Sequence, residues 1–110
     1  MNEKTIELLK AARAKIEAGW TQRSAARDAD GLKCGWSEGR ACSFCAMGAL
    51  WRVATKAHLS EATDILERAL DGAGAGPGMS VISFNDSPYR LKEDVLKLYD
   101  VAIEIAGRET

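Results

Sequence analysis

The sequence predicts a compact, mainly α single domain of about four main helices, with a short hairpin or irregular segment between helices 1 and 2. Apolar residues recur at helical spacing along most of the chain, and breaker residues separate the periodic stretches. The composition agrees, because 46% of the residues are hydrophobic and only 6% are aromatic. With 110 residues, the chain can bury such a core as one domain, which we place over residues 1–110.

The first helix is predicted from apolar residues that share one face, namely Ile6, Leu9, Ala12 and Ile16. Gly19 is expected to end it. A short hairpin is predicted around Ala26 to Cys34, because Asp30-Gly31 favours a two-residue type I′ turn. Residues 35–41 contain two glycines and no periodic pattern, so we expect a surface loop.

Two further helices are predicted in the middle of the chain. Ser43 is a candidate N-cap for the second helix, which is expected to contain Gly48 and to end near His58. Ser60 is expected to open the third helix. The glycine-rich run over 72–78 follows this helix and lacks the Lys and Ser/Thr of a phosphate-binding loop, so it is predicted to be a linker.

The last helix is predicted to run to about Ala106, with Ser87 as its cap and Pro88 in its first turn. The preceding segment, over 79–84, fits a strand or one helical turn equally well. An unusually broad apolar face on the last helix indicates that this helix is central in the fold or shared with a partner chain.

The formal net charge of -1 divides into +4 over residues 1–59 and -5 over residues 60–110. Either basic and acidic elements pack together, or the basic half forms a face for an acidic partner. Nucleic acid is such a partner, and its candidate ligands are Arg13, Arg23, Arg27, Lys33, Arg40 and Arg52. No apolar run long enough for a membrane span is present, and residues 1–10 lack an apolar signal core, so a cytoplasmic protein is expected.

Three cysteines and one histidine form a conceivable zinc set: Cys34, Cys42, Cys45 and His58. If residues 44–57 form one helix, a rise of about 1.5 Å per residue separates Cys45 from His58 by about 20 Å. We therefore expect neither a metal site nor a Cys45–His58 catalytic dyad, and no cofactor is predicted. Redox chemistry at Cys42-x-x-Cys45 lacks the preceding strand typical of such motifs, which favours Cys45 as a small buried apolar residue.

Four motifs in order resemble a family of small bacterial and phage proteins of unknown function. They are Gly19-Trp20-Thr21-Gln22, Ala26-Arg27-Asp28-Ala29-Asp30-Gly31, Cys45-Ala46-Met47-Gly48-Ala49-Leu50, and Phe84-Asn85-Asp86 followed by Pro88 and Arg90. The resemblance implies no activity. It selects Arg27, Asp28, Cys45, Gly48, Asn85 and Asp86 as motif positions and leaves out Cys34, Cys42 and His58. The sequence departs from the family pattern at Tyr89, where Gly is usual, and at Leu91, where Thr is usual.

These motif positions suggest one polar junction at the start of the second helix. Asn85 and Asp86 would satisfy backbone N–H groups or Arg27 there, and Gly48 would make room for them. The candidate binding residues are accordingly Arg27, Asp28, Gly48, Asn85 and Asp86. No catalytic residue is assigned, although Cys45, Asn85 and Asp86 are candidates.

The favoured function is a protein-interaction module, with a second copy of the chain as one conceivable partner. Contact would be made through the last helix or through two tryptophans, Trp20 and Trp36. One alternative is a small thiol-dependent enzyme or ligand-binding protein that uses Cys45 with Asn85 and Asp86. A second alternative is nucleic-acid binding through the basic half.

Overall fold

The computed structural model describes residues 2–109, so the two ends of the predicted domain, residues 1 and 110, lie outside the described residues. Five α-helices and one three-stranded antiparallel sheet form this part of the chain. In order they are α1 (Asn2–Ala18), β1 (Ala26–Arg27), β2 (Lys33–Cys34), β3 (Ser43–Phe44), α2 (Ala46–Val53), α3 (Lys56–Arg68), α4 (Val81–Asp86) and α5 (Lys92–Arg108). The mainly helical class is confirmed, whereas the short fourth helix and the third strand are additions to the prediction.

The two long helices, α1 and α5, form the centre of the fold. Helix α1 packs against α5 and α2, and its predicted apolar stripe lies in the core, where Leu9 and Ile16 have no exposed surface. The Arg13 guanidinium joins the two helices by donating to the Asp100 carboxylate at 2.6 Å. Helix α5 packs against α1 and α3, and its buried residues are Val95, Leu98, Tyr99, Ala102 and Ala106. The predicted central position of this helix is therefore present, although Leu96, Ile103 and Ile105 are only half-buried.

The predicted hairpin is present, with Ala26 opposite Cys34. Its turn differs from the prediction, because Gly31 has a φ of 82° and Asp30 has no positive φ. The Asp28 N–H donates to the Leu32 carbonyl at 2.9 Å, which leaves a three-residue loop with glycine in the left-handed region. Strand β3 pairs with the other edge of β1, so β1 is the central strand.

The second helix is shorter at both ends than predicted. It begins after Cys45 and ends at Val53, and the following residue, Ala54, has an extended ψ of 140°. Helix α3 then starts at Lys56 behind Thr55, four residues before the predicted Ser60. No Gly or Pro marks this break in the sequence, so helical periodicity alone could not locate it.

The last helix starts later than predicted. Ser87 ends α4, and α5 starts at Lys92, where the Asp94 carboxylate accepts the Leu91 N–H at 2.9 Å. Helix α4 resolves the ambiguous segment as helix, and the Ser80 hydroxyl caps it by accepting the Ser83 N–H at 3.0 Å. The glycine-rich connector before it contains one 3-10 turn and lies between α3 and α4.

Candidate functional site

A fully buried asparagine joins α4 to the start of α2. The Asn85 Oδ1 atom accepts the Ala46 backbone N–H at 2.9 Å and the Trp20 indole N–H at 2.8 Å. Its Nδ2 donates to the Thr21 carbonyl at 3.1 Å and to the Asp86 carboxylate at 2.9 Å. These four bonds use the normal hydrogen-bonding capacity of the amide. Asn85 therefore holds three segments together and has no polar group left for a ligand.

The chain after α1 is fastened to α4 by further polar contacts. The Asp86 Oδ1 atom also accepts the Arg23 backbone N–H at 2.9 Å. The Gln22 amide donates to the carbonyls of Asn85 and Ser87 at 2.8 and 3.1 Å. Asn85 and Asp86 thus accept backbone N–H groups, which is one of the two arrangements that the junction hypothesis allowed.

Arg27 and Asp28, the other predicted binding residues, belong to the hairpin. The Arg27 guanidinium donates to the Thr21 hydroxyl at 2.7 Å and to the Gly31 carbonyl at 3.0 Å. The Asp28 Oδ1 atom accepts the Leu32 N–H at 3.0 Å. Both side chains stabilise the loop between β1 and β2, and the structure does not bring Arg27 to Asn85 or Asp86.

Gly48 makes room for a backbone carbonyl and not for the polar side chains. A Cβ atom at this position would lie 2.0 Å from the Ala25 carbonyl oxygen. The same oxygen accepts the Cys45 N–H at 3.1 Å, so the chain entering β1 lies directly against the first turn of α2. Cys45 is the N-cap of this helix, with its sulfur accepting the Gly48 N–H at 3.2 Å. The predicted cap, Ser43, lies in β3.

A cleft of about 430 Å³ opens beside this junction. Its walls come from the chain before β1, from α2 and from α4. The residues that line it are Arg23, Ser24, Ala25, Cys45, Trp51, Ile82 and Asp86. The cleft is therefore lined by two of the three residues that the sequence offered as catalytic candidates, Cys45 and Asp86, whereas Asn85 is fully buried and does not line it.

The surroundings of Cys45 do not favour a nucleophile. Burial raises the pKa of the Cys45 thiol, the Asp86 carboxylate raises it further, and the Gly48 N–H lowers it by less than burial raises it. A catalytic thiol needs the opposite shift, together with a base in hydrogen-bond reach. The environment matches the interpretation of Cys45 as a small buried residue that caps a helix.

The proposed zinc and redox residues are spread over separate elements. Cys34 lies in β2, Cys42 precedes β3 and is exposed, Cys45 caps α2, and His58 is in the first turn of α3. Cys45 and His58 are not joined by the single rigid helix that was predicted, because α2 ends at Val53. Among residues 2–109 no group of three or more His, Cys, Asp or Glu side chains could hold a metal ion.

Most of the predicted basic face is engaged within the fold. Four of its six residues make hydrogen bonds to the protein through their side chains: Arg13, Arg27, Arg40 and Arg52. Arg13 is bound to Asp100, and Arg52 donates to two loop carbonyls at 2.8 Å each. Within the described chain, only the Arg23 and Lys33 side chains of this set have no such bond or ion pair.

The sequence did not single out Trp51, which the structure places at the centre of a recessed surface. This half-buried residue lines the 430 Å³ cleft and two adjoining hollows of about 230 and 160 Å³. Trp36, 39% exposed, lines one of these hollows with Trp51, and Ile82, 48% exposed, lines the other two. We call Trp36, Trp51, Leu59 and Ile82 the Trp51 surface. No periodic pattern could have found it, because its members come from a loop and three helices.

Fold and site together define a small, mainly helical protein in which one buried asparagine of α4 joins the segment after α1 to the start of α2. None of the helices in the described part of the chain is long and apolar enough to cross a membrane. The chain belongs to the Family of unknown function (DUF6197), whose model matches residues 1–105. No curated protein and no solved structure matches it. Membership of a family of unknown function is thus confirmed, whereas the individual motifs and a bacterial or phage origin stay predictions.

Proposed function

We propose that this protein is an interaction module that binds another protein chain through the Trp51 surface. The observation that carries the proposal is that Trp51 forms part of the wall of three adjoining hollows. Two large apolar side chains, Trp36 and Ile82, stand exposed at their margins. Apolar hollows lined by tryptophan are typical of the central part of protein interfaces.

The other two surfaces that the sequence suggested for contact, α5 and Trp20, expose less apolar side chain to a partner. Five residues of the apolar face of α5 are buried inside the chain, which leaves less of this face for a partner. Trp20 is half-buried and donates its indole N–H to Asn85. Of the two predicted tryptophans, Trp36 lines one of the recessed surfaces, together with Trp51.

The partner in this proposal is a different protein or a second copy of the same chain, in the cytoplasm of a bacterial or phage-infected cell. Lys56 lies at one margin of the Trp51 surface and Glu67 at another. Charges of both signs at a rim fix the orientation of a partner more than they add affinity. A matching segment would present apolar side chains between charged residues.

Site-specific photo-crosslinking tests the proposal in the cell that makes the protein. A photoreactive amino acid is placed at Ile82, 48% exposed, and in a separate variant at Leu32, 62% exposed, as the matched aliphatic control. We expect a discrete protein adduct from position 82 that is absent at position 32. Mass spectrometry of the adduct separates a partner protein from a second copy of this chain.

A second variant checks that the adduct depends on the recessed surface. Trp36→Ala in the background that is crosslinked at position 82 removes a side chain from the margin without touching α4. We expect the adduct yield to fall severalfold, while the circular dichroism spectrum is unchanged. Equal adducts from positions 32 and 82, no adduct at all, or a yield unaffected by Trp36→Ala would contradict the proposal.

A further inference from the structure

The cleft beside Cys45 presents a carboxylate with one oxygen available. Asp86 is half-buried, and its Oδ1 atom is held by the Arg23 N–H and by the Asn85 amide, each at 2.9 Å. Within residues 2–109, its Oδ2 atom accepts no hydrogen bond. The carboxylate is thus fixed in direction by two donors and retains an oxygen that can accept from a ligand.

A guanidinium stands at the same cleft without an internal partner. Arg23 is exposed, and its backbone has a φ of 63°, a left-handed conformation that L residues with side chains seldom adopt. In the described part of the chain its side chain makes no hydrogen bond and no ion pair, even with Asp86. The cleft therefore has a positive and a negative group that do not neutralise each other by direct contact.

The rest of the lining is apolar, apart from Ser24. Ala25, Cys45, Trp51 and Ile82 supply this part of the wall. The Ser24 hydroxyl is already used, because it donates to the Ala26 carbonyl at 2.7 Å. A volume of about 430 Å³ falls within the roughly 300–1,000 Å³ typical of small-molecule sites. An aliphatic or aromatic side chain fits this lining better than a sugar or a nucleotide, which would need more polar partners.

We propose that this cleft binds a free α-amino acid with an apolar side chain. The ligand ammonium group donates to Asp86, its carboxylate pairs with the Arg23 guanidinium, and its side chain lies against Trp51 and Ile82. Both ligand charges are then met by opposite charges, and the apolar part leaves water. The site does not depend on the protein-interaction role, although Trp51 and Ile82 contribute to both.

Isothermal titration calorimetry on the purified, dilute chain tests the proposal with matched ligands. L-leucine and L-phenylalanine are compared with N-acetyl-L-leucine, which lacks the cation, and with L-leucinamide, which lacks the anion. We expect a zwitterion to bind about tenfold or more tighter than either blocked analogue, since each lost charge-assisted hydrogen bond weakens binding by that order. No binding of either amino acid at millimolar concentration, or equal binding of the blocked analogues, overturns the proposal.

Charge-removing variants then assign each end of the ligand. Asp86→Asn keeps the Oδ1 acceptor and the shape of the side chain, and should remove the preference for leucine over N-acetyl-leucine. Arg23→Gln should remove the preference for leucine over leucinamide. Lys33→Gln, which removes an exposed cation from β2, is the control and should bind leucine as the wild type does. If the control loses binding equally, or if neither cleft variant changes the preferences, the assignment is wrong.

Because the ligand panel uses the wild-type chain, a variant that fails to fold does not prevent a decision. The crosslinking result is also independent of this one. A chain that binds leucine in the cleft and gives no adduct at position 82 would retain the ligand site and lose the interaction module. A chain that gives an adduct at position 82 and does not bind leucine would retain the interaction module and lose the ligand site.

Discussion

Substitution of Asn85 by aspartate isolates the role of its amide donors. Asn85→Asp preserves the size of the side chain and the Oδ1 acceptor for Trp20 and Ala46, but replaces Nδ2 by an oxygen. That oxygen would face the Thr21 carbonyl, now 3.1 Å from Nδ2, and the Asp86 carboxylate, now 2.9 Å from it. The Thr21 carbonyl would lose its donor, and a buried acceptor without a donor lowers stability by about 1–3 kcal/mol. Repulsion between the new carboxylate and that of Asp86 adds to this loss. We expect a loss of about 3–5 kcal/mol at pH 7.

Urea denaturation followed by tryptophan fluorescence measures this loss as the change in the free energy of unfolding. A domain of this size has about 5–15 kcal/mol in total, so the variant should be near the limit of folding. Placing Asp86→Asn in the Asn85→Asp background supplies a donor in place of the opposing charge, and should restore at least about 1 kcal/mol. A single variant within about 1 kcal/mol of the wild type would refute the role assigned to Nδ2.

The pH dependence of the same variant follows from linkage. The new carboxyl group is buried between acceptors, which raises its pKa in the folded state above the unfolded value of about 3.9. A raised folded pKa favours the folded state at low pH, and this contribution is lost as the pH rises through the folded pKa. The gap in stability between variant and wild type should therefore widen between about pH 4 and pH 7. A gap independent of pH would mean that the carboxyl group reaches water.

Three further predictions test other parts of the fold. Gly48→Ala places a Cβ 2.0 Å from a backbone oxygen and should lower the free energy of unfolding by at least about 3 kcal/mol in the same urea titration. Gly39→Ala is the control, because nothing lies within 4 Å of its Cβ, and it should change this free energy by less than about 0.5 kcal/mol. Tyr89 has a φ of 67° and is 98% exposed, so Tyr89→Gly should raise the unfolding free energy by about 0.5–1 kcal/mol; a lower melting temperature would argue against strain there. Because burial raises the pKa of Cys45, its alkylation by iodoacetamide at pH 7.5 should be at least about tenfold slower than that of exposed Cys42, and equal rates on peptide mapping would contradict this.

The elements that followed from local pattern are those with strong periodicity or a clear turn residue. Helix α1 ends before Gly19 as predicted, because its apolar stripe spans several turns and the glycine follows directly. The hairpin pairs Ala26 with Cys34, the two ends of the predicted range. Its turn type was missed, since Asp28 closes a three-residue loop with its side chain and backbone, and Asp-Gly alone does not distinguish two residues from three.

The ends of the middle helices required tertiary contacts. The break between Val53 and Lys56 contains no Gly or Pro, and the sequence pattern predicted the boundary later, between His58 and Ser60. The broad apolar face of α5 was compatible with a central position in the fold or with a partner chain, and only the tertiary structure shows that five of its residues are buried within this chain. Such decisions depend on buried area between distant segments, which a local pattern does not contain.

Four residues of the candidate site could be predicted from the sequence, but their partners could not. The resemblance drew attention to Cys45, Gly48, Asn85 and Asp86, and the structure places all four around the start of α2. Their partners could not be predicted, because each lies 20 or more residues away in sequence or forms contacts through the backbone: Asn85 binds Trp20 and Ala46, and Gly48 adjoins Ala25. The cleft and the Trp51 surface arise where loops and helices meet.

By itself, then, the sequence determined a helical domain with one hairpin and a small set of residues around which a site could form. Periodic apolar residues and turn residues act within a few positions of the chain, so they can be recognised without a structure. The tertiary structure decided which polar groups satisfy one another. A buried amide such as Asn85 must find every partner inside the protein, and those partners come from segments that only the folded chain brings together.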